Sequence, residues 1–463
     1  MEGIEPVELQ EPLDHLVRPP SRFSHDLAFP APERIRVYDD TLRDGEQMPG
    51  VAISPRDKYE LARALSDIGV HIMDVGFPAV SESERETLRL VLEGRRRGEL
   101  RQDLEVLCMM RSNPADIDAT MRVVDELGHR RDEVSYFIFT SASDLHVKYK
   151  LGRTLLAREG LPASEWLELP VEFYREANIR MLTDAIRYAR SAGAGLIEFG
   201  GEDGSRADPE YVKRLHREGL EAGGARPSTP DTVGCYSPYA VRDYISQIKE
   251  ATPQAPLVVH FHNDLGLGAW NTVVALGSGA EVFTTSVNGI GERTGNAPMH
   301  QVLLQLRYLF EIEIPGFRYE KLRDLARLME RLSGIPVAPV EPGIGLNVFS
   351  HESGIHTAGM LIHPEIYQFI PPGDLGAEVR YVYGKHSGAM VIEHALRQAG
   401  IAPEPRLLAR VIEEVKRLRE ERAERADFAG FQRVYYDHLE GMGVTAEEVA
   451  GIATALRVEL ADG

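Results

Sequence analysis

The chain has little cysteine, no long apolar run and no excess of positive charge, and each absence excludes a class of protein. Two cysteines in 463 residues, Cys108 and Cys235, cannot form a disulfide framework, which favours a reducing compartment. No stretch reaches the about 18 uninterrupted apolar residues of a membrane span, and the acidic N-terminus resembles no targeting peptide, so we expect a soluble cytoplasmic protein. The net charge of −20 argues against a nucleic-acid surface, which needs a basic patch.

What the sequence does have is a regular alternation of short apolar segments and amphipathic helical segments. Buried parallel strands are apolar nearly throughout. Such candidate strands lie at 34–40, 71–77, 104–110, 133–139, 195–201, 230–235, 256–262 and 281–287. Eight strands, each followed by a helix, predict a right-handed parallel (β/α)₈ TIM barrel, an α/β fold with its chemistry at the carboxyl ends of the strands. The sixth strand has the weakest pattern, and an open doubly wound sheet is the alternative.

The same pattern divides the chain into four regions. Residues 1–33 are expected to form an N-terminal arm and residues 34–311 the catalytic barrel, with a helical insertion at 155–182. We expect 312–402 to form a linker and a small lid subdomain rich in polar loop strings. The Arg- and Glu-rich tail, 403–463, has helical periodicity and is expected to form a helical C-terminal subdomain.

Two histidines in the string VVHFHND suggest a metal site. Successive side chains alternate faces in a strand, so His260 and His262 point the same way. Asp44, in DDTLRDGEQ, can complete the site, and Asn296, in NGIGERTGN, can add an amide oxygen. Two imidazoles with oxygen donors suit Zn²⁺, Mn²⁺ or Mg²⁺ and leave positions open for a substrate. The alternative is a pair of histidines that merely stack and hydrogen-bond.

Further polar residues near the predicted strand ends are candidates for handling a small oxo acid. Arg43 would stabilise an alkoxide that develops on a carbonyl, and the alternative is a surface ion pair of Arg43 with Asp44 at the strand end. Glu202, Thr232 and His146 could orient the substrate, and ordinary polar loops are the alternative.

A further pair of candidates lies after the barrel. His356, in HESGIH, is a candidate general base, with Tyr367 as a second proton-transfer group. The alternative is that this segment is a structural loop. The string VYGKHSG predicts a tight glycine turn without a catalytic role.

Five strings, in this order along the chain, resemble the signatures of one enzyme family: DDTLRDGEQ, HFHND, NGIGERTGN, SHESGIH and GKHSG. They are similar to those of the Claisen-condensing branch of the DRE-type TIM-barrel metalloenzymes, which holds 2-isopropylmalate, homocitrate and citramalate synthases. Hydroxymethylglutaryl-CoA lyase is a more distant member. The resemblance covers roughly residues 34–400. It implies that the methyl carbon of acetyl-CoA adds to the ketone of a 2-oxo acid, followed by thioester hydrolysis.

The resemblance also implies roles for individual residues. Asp44, His260 and His262 match the metal ligands, with Asn296 as a fourth candidate, and Arg43 matches the arginine at the carbonyl oxygen. Glu202 matches an acidic residue implicated in proton transfer, and Thr232 a threonine that holds the oxo-acid carboxylate. His356 and Tyr367 match a His–Tyr pair that acts on the barrel of a neighbouring protomer, which implies a homodimer.

The identity of the oxo acid is less strongly indicated. GGEDGSRAD and GKHSGAMVIEHAL resemble homocitrate synthase of the nitrogen-fixation type, and the chain ends early for a full leucine-sensing domain. Against homocitrate, Glu198 stands where the lysine-pathway type has an arginine, and Gly200 where many members have serine. We expect a homocitrate synthase-like enzyme, with 2-isopropylmalate or citramalate synthase as the alternative.

Two other classes are less favoured. A hydroxyacyl-CoA lyase on the same barrel would lack the segment from HESGIH to GKHSG, and a non-catalytic binding protein would have a broken ligand set. The sequence leaves the acceptor, the metal, feedback inhibition and the pathway open.

Overall fold

The structure is a computed structural model that describes residues 27–462, with side chains described as far as residue 456. Most of the expected N-terminal arm, residues 1–26, lies outside the described residues. The described chain divides into two compact units. One comprises residues 27–318 and 324–336, and the other comprises residues 319–323 and 337–462. The four domain limits proposed from the sequence remain predictions.

The first unit is built on a closed barrel of eight parallel strands in chain order, which confirms the predicted TIM-barrel fold class. The strands are β1 Arg36–Asp39, β2 Ile72–Asp74, β3 Glu105–Arg111, β4 Ser135–Ser141, β5 Ile197–Glu202, β6 Arg226–Asp231, β7 Val258–Phe261 and β8 Val282–Thr285. Pairing of β1 with β8, in which Arg36 lies opposite Val282, closes the barrel. The alternative of an open sheet is thereby excluded.

The predicted position of the sixth strand was wrong. We expected it at 230–235, whereas β6 begins at Arg226 and ends at Asp231. Its sequence, RPSTPD, contains proline as its only apolar residue type, so it lacks the apolar pattern that marks the other strands. The predicted segment is instead mostly the loop that follows the strand.

Helices alternate with the strands around the barrel. The helices of this unit are α1 Pro55–Ile68, α2 Glu82–Arg96, α3 Pro114–Glu126, α4 Gly152–Arg158, α5 Val171–Ser191, α6 Pro209–Glu221, α7 Pro238–Ala251, α8 Gly268–Leu276 and α9 Met299–Phe310. The first shows how local chemistry sets the limits: the Ser54 side chain accepts from the backbone N–H of Asp57, and Gly69 ends the helix with φ +111°. A Cβ at Gly69 would lie 2.7 Å from the carbonyl oxygen of Gly316, so only glycine fits there.

Apolar side chains fill the barrel interior below the site. Tyr38, Ile72, Leu107, Val258 and Val282 come from five strands and form one buried cluster. This layer fills the barrel interior, and sites in barrels of this kind lie at the carboxyl ends of the strands.

A helical insertion was expected at 155–182, but the additional elements lie in the connection from β4 to α5, residues 142–170, and residues 171–182 belong to α5. The connection contains a π-helical turn at His146–Lys150, the short helix α4 and a single 3₁₀ turn. Leu155, Leu156 and Tyr174 pack together beneath it, with Trp166 at the edge of this cluster. The insertion therefore has a small apolar core of its own.

The second unit is mainly helical. Its strands are the parallel pair β9 Ser350–His351 and β10 Arg380–Tyr381. Its helices are α11 Gly354–Ile362, α12 Ala389–Gln398, α13 Pro405–Glu424, α14 Phe428–Glu440 and α15 Ala446–Asp462; α10, Leu322–Ser333, precedes them and has residues in both units. No helix within residues 27–462 has the length and apolarity that crossing a membrane requires.

A buried lysine ties two loops of the barrel together. The ammonium of Lys58 is fully buried and lies 2.5 Å from a carboxylate oxygen of Glu46 and 2.5 Å from one of Glu84. The other oxygen of Glu46 accepts from the backbone N–H of Ile53, and that of Glu84 accepts from the backbone N–H of Phe77. This bridge joins helices α1 and α2 to the loop after β1, and Glu84 extends it to the loop after β2 through the N–H of Phe77.

Replacing Lys58 by Met should destabilise the barrel strongly, because two carboxylates would be left without their cation. Removing one partner of a buried ion pair typically costs about 3–5 kcal/mol of unfolding free energy. Both tryptophans, Trp166 and Trp270, lie in this unit, so fluorescence during urea unfolding reports on it.

The control is Lys213→Met, since Lys213 pairs with the exposed Glu210 within α6. Surface pairs contribute about 0–1 kcal/mol, so this variant should unfold nearly as the parent protein does. Equal effects of the two variants would contradict the proposed importance of the bridge.

Candidate metal centre

The ends of β1 and β7 bring the three predicted ligands together. Asp44 lies in the turn after β1, His260 near the end of β7 and His262 just beyond it. The two histidine Nε2 atoms are 3.2 Å apart. Asp44 Oδ2 lies 3.4 Å from His260 Nε2 and 3.9 Å from His262 Nε2. All three side chains are largely buried, and their ligand atoms converge on one point.

These separations fit ligation of one ion. With ligand distances of about 2.1 Å, tetrahedral ligand atoms lie about 3.4 Å from one another. Two imidazole nitrogens and a carboxylate oxygen suit zinc or another divalent metal of similar size. The residues therefore fit a metal ion, and the arrangement goes beyond two histidines that merely stack.

The pKa shifts of His262 and Asp44 favour the protonation states that bind a metal, whereas the shift of His260 favours its protonated form. Burial and the neighbouring His260 lower the pKa of His262 to about 4, so its imidazole is neutral at pH 7. Burial would raise the pKa of Asp44, but the Arg43 guanidinium and the two histidines outweigh it and lower that pKa. Burial would lower the pKa of His260, but Asp40 and Asp44 raise it above its ordinary value. Ionised carboxylate and neutral imidazole are the forms that bind metals.

Asn296 lies beside the three ligands but presents its amide nitrogen to them. Its Nδ2 donates to Asp44 Oδ2 at 2.8 Å and to Asp40 Oδ1 at 3.1 Å. Its Oδ1 is buried and accepts no hydrogen bond from the described residues. In this orientation Asn296 holds the ligand carboxylate, and ligation through Oδ1 would require the amide plane to turn over.

Arg43 is fixed by a carboxylate that the sequence analysis did not single out. Its Nε donates to Asp74 Oδ2 at 2.7 Å, and its Nη1 lies 3.6 Å from Asp44 Oδ2. Burial raises the pKa of Asp74 to about 6, against the pull of Arg43. Asp74 ends β2, where it is the only charged residue in HIMDVGF, and that isolated charge was the signal available in the sequence.

The metal site opens into a cavity of about 310 Å³. Its apolar lining residues include Phe77, Met109, Phe137 and Phe139. Its polar and charged lining residues include Arg43, Lys150, Glu202, Ser228, Thr232, Thr284, Glu292 and Arg293. The volume suits a small-molecule ligand rather than a polymer.

Glu202 and Thr232 line this cavity, as predicted for substrate-handling residues, but His146 does not. Glu202 forms an ion pair with Lys150, four residues after His146. His146 lies behind them, 3.8 Å from a Glu202 oxygen and 3.6 Å from one of Asp203. Thr232 Oγ1 accepts from the backbone N–H of Asp203 at 2.8 Å, which leaves its own hydrogen available to a ligand.

Glu198 lines the deeper part of the same cavity. It precedes Glu202 by four residues on β5, so both side chains share a face. Its Oε2 accepts from Arg226 Nε at 2.7 Å, and Arg226 also donates to both oxygens of Glu105. Oε1 of Glu198 is buried and has no hydrogen-bond partner among the described residues. Burial raises the pKa of this carboxyl group to about 7, although Arg226 opposes the shift.

His356 and Tyr367 belong to the second unit, where they pair with each other. Their rings stack with centroids 4.1 Å apart, and both side chains are exposed. Gly359, on the helix that carries His356, has no room for a side chain, since its Cβ would lie 2.8 Å from the Tyr367 ring. Helix α11 and the 3₁₀ turn Pro364–Ile366 thus hold the two rings together.

Two known families match the chain, one over the barrel and one over the region that follows it. Residues 34–158 and 160–329 match the family described as HMGL-like. Residues 344–423 match a second family, described as homocitrate synthase post-HMGL domain-like.

Curated relatives align over most of the chain. Homocitrate synthase AksA of Methanopyrus kandleri is 34% identical over 413 residues, which cover 89% of this chain and 94% of the relative. The 2-isopropylmalate synthase of Sulfurisphaera tokodaii is 34% identical over 388 residues, covering 84% and 92%.

Among solved structures, the HMG-CoA lyase of Bacillus subtilis has the same fold. It superposes with a TM-score of 0.51 at 20% identity and covers 67% of this chain and 97% of the lyase. The chain therefore belongs to the HMGL-like TIM-barrel family, and it is an acyltransferase of the homocitrate and 2-isopropylmalate synthase type.

Proposed function

We propose that acetyl-CoA condenses with the ketone of a 2-oxo acid in this cavity, giving a 2-substituted malate and free CoA. The observation that carries the proposal is the convergence of Asp44, His260 and His262 beside Arg43, at the wall of a cavity sized for a small acid. The match of residues 344–423 to a homocitrate synthase domain favours a synthase over the lyase alternative.

Each residue has a role that its position supports. A divalent cation (Zn²⁺, Mn²⁺ or Mg²⁺) held by Asp44, His260 and His262 would polarise the ketone of the oxo acid. Arg43, held by Asp74, places a fixed positive charge where negative charge develops on the ketone oxygen. Thr232 donates its hydroxyl hydrogen to the carboxylate of the oxo acid, because its oxygen already accepts from Asp203.

Proton transfer requires a base at the methyl carbon of acetyl-CoA. We assign this role to His356, with Tyr367 stacked against it and Glu202 as a further proton carrier. The methyl carbon loses a proton to His356 and forms the new bond to the ketone carbon. The π bond of the ketone breaks, and its oxygen takes up one proton, carried by Glu202, to become the hydroxyl of the product. Water then cleaves the thioester, which releases CoA.

The same proposal includes a homodimer, in which His356 and Tyr367 act on the partner's barrel, and a location in the cytoplasm. The homodimer is inherited from the family resemblance, and the location from the low cysteine content. The mixing experiment described below tests the sharing of sites between subunits.

For the acceptor we propose 2-oxoglutarate first, as the sequence favours and as the name of the Methanopyrus relative suggests. One observation favours a monocarboxylic acceptor instead. Glu198 places a buried carboxylate in the deeper part of the cavity, and its one described cation, Arg226, also serves Glu105. A second substrate carboxylate there would meet a like charge.

The test of the function is an assay of CoA thiol release from acetyl-CoA with 2-oxoglutarate, 2-oxoisovalerate, pyruvate and oxaloacetate in turn. We expect release with at least one acceptor, dependent on added divalent metal and abolished by a chelator. Absence of release with all four acceptors in the presence of each metal would overturn the proposal.

Glu198→Gln should raise the kcat/KM for 2-oxoglutarate relative to 2-oxoisovalerate by about tenfold at pH 8, because it removes a buried like charge. In the parent protein the ratio should rise as the pH falls from 8 to 6, since Glu198, with a pKa of about 7, takes up a proton. In the variant this pH dependence should disappear.

The matched control for that variant is Glu292→Gln. Glu292 lines the same cavity but lies in the loop after β8. Its substitution should change the acceptor ratio less than twofold. An equal change in both variants would show a general effect of charge rather than a specific role of Glu198.

His260→Ala should abolish turnover and weaken metal binding, because the site would lose one of its three protein ligands. Titration calorimetry with Zn²⁺ or Mn²⁺ checks the second effect directly. Near-normal activity, or metal affinity equal to that of the parent protein, would contradict the assignment of this ligand.

His356→Ala should lower kcat by about 10²–10⁴-fold with little change in KM for the oxo acid, as expected for loss of a general base. Mixing this variant with an Arg43→Ala variant should restore part of the activity if sites are shared between subunits. An unchanged kcat would remove His356 from the mechanism, and mixtures without recovery would count against shared sites.

A further inference from the structure

Asp40 is not one of the three candidate metal ligands, but it contacts several residues of the metal centre. It is fully buried at the end of β1. Its backbone carbonyl accepts from the N–H groups of Arg43, Asp44 and Gly45, and so fixes the turn that carries Asp44. Its Oδ1 accepts from Asn296 Nδ2, which also donates to Asp44.

The other carboxylate oxygen of Asp40 faces a histidine ligand. Asp40 Oδ2 lies 3.1 Å from Nδ1 of His260, on the side of the ring opposite the Nε2 that faces Asp44. This oxygen has no well-aligned hydrogen bond from any described residue. The hydroxyl of Thr284 also lies 2.7 Å from the same Nδ1, so two acceptors compete for one imidazole N–H. Burial of a carboxylate oxygen without a hydrogen-bond donor destabilises the folded protein. We therefore expect this oxygen to have a function.

We infer that Asp40 is a positioning residue for the metal centre, which accepts the Nδ1–H of His260 and thereby directs Nε2 to the metal. A histidine that ligates through Nε2 must carry its hydrogen on Nδ1, and a carboxylate acceptor there fixes the tautomer and makes the imidazole a stronger ligand. The inference rests on the metal site proposed above.

The local charges support this role. Asp40, Asp44 and Asp74 are buried within the same group, and Arg43 is the cation that lies among them. The buried carboxylates of this group outnumber Arg43, the cationic side chain that pairs with two of them. Uncompensated negative charge in a buried site favours cation binding in the folded protein.

The test is a titration of the full-length protein with Co²⁺, whose visible absorption reports both affinity and ligand geometry. Asp40→Asn should weaken Co²⁺ binding by about 10–100-fold without changing the shape of the spectrum, because outer partners of ligating histidines have effects of this size. If the new amide keeps its oxygen toward Asn296, its NH₂ group would face the imidazole N–H, and two donors would oppose each other.

Asp39→Asn is the matched control. Asp39 is an equally buried neighbour whose carboxylate bonds to Thr41 and approaches no imidazole. Its substitution should leave the affinity within about threefold of the parent protein.

A second variant, Thr284→Val, decides the outcome even if Asp40→Asn does not fold, as judged by circular dichroism. With Asp40 as the acceptor that matters, Thr284→Val should keep Co²⁺ affinity within about threefold. A tenfold loss would assign the positioning role to Thr284 and overturn the inference.

The remaining outcomes are equally distinct. Unchanged affinity in Asp40→Asn would overturn the inference while leaving the metal site intact. Loss of more than a thousandfold with an altered spectrum would make Asp40 a direct ligand and would also overturn it. Absence of Co²⁺ binding in the parent protein would refute the metal site itself.

Discussion

The balance of buried charge at the carboxyl ends of β1, β2 and β7 is the constraint on which the rest of the site depends. Asp40, Asp44 and Asp74 are all withdrawn from water, and Arg43 lies between two of them. Carboxylates in such surroundings are stable only when cations or hydrogen-bond donors compensate them. The turn after β1, the histidines of β7 and the amide of Asn296 supply those partners, and together they define a place where a cation is favoured.

The barrel makes this arrangement possible because its register fixes the distances between residues far apart in the chain. Tyr38 on β1 lies opposite Ile72 on β2 and Thr284 on β8, so the ends of these strands meet at one level. Side chains such as Asp44 and His260, more than 200 residues apart, can then approach within 3.4 Å. The buried bridge from Lys58 to Glu46 and Glu84 also holds the loops after β1 and β2. The site is therefore stabilised by these loops as well as by the strands.

The sequence was sufficient for the elements with strong local patterns. The alternation of apolar strands and amphipathic helical segments identified the barrel, and the spacing of His260 and His262 predicted two imidazoles on one face. The predicted position of β6 was wrong because residues 226–231 have no apolar alternation. Their two prolines are also atypical of a strand within a sheet. The roles of Asp74 and Asp40 were not predicted, since each depends on a contact with another strand that no local pattern records. The ion pairs of Arg226 with Glu198 and Glu105 join three strands and are equally invisible in a linear sequence.

Gly200 shows that a residue expected to affect substrate binding can instead be required by packing. A serine there would be expected to offer a polar contact to the acceptor, and its absence would suggest a changed pocket. In this chain a Cβ at position 200 would lie 2.3 Å from the backbone oxygen of Ser228 on the neighbouring strand, so glycine is required by packing between β5 and β6. Choice of acceptor is therefore better sought in groups that face the cavity with unsatisfied polar atoms. Glu198 is such a group, because it lines the cavity four residues before Glu202 and its buried Oε1 has no hydrogen-bond partner among the described residues.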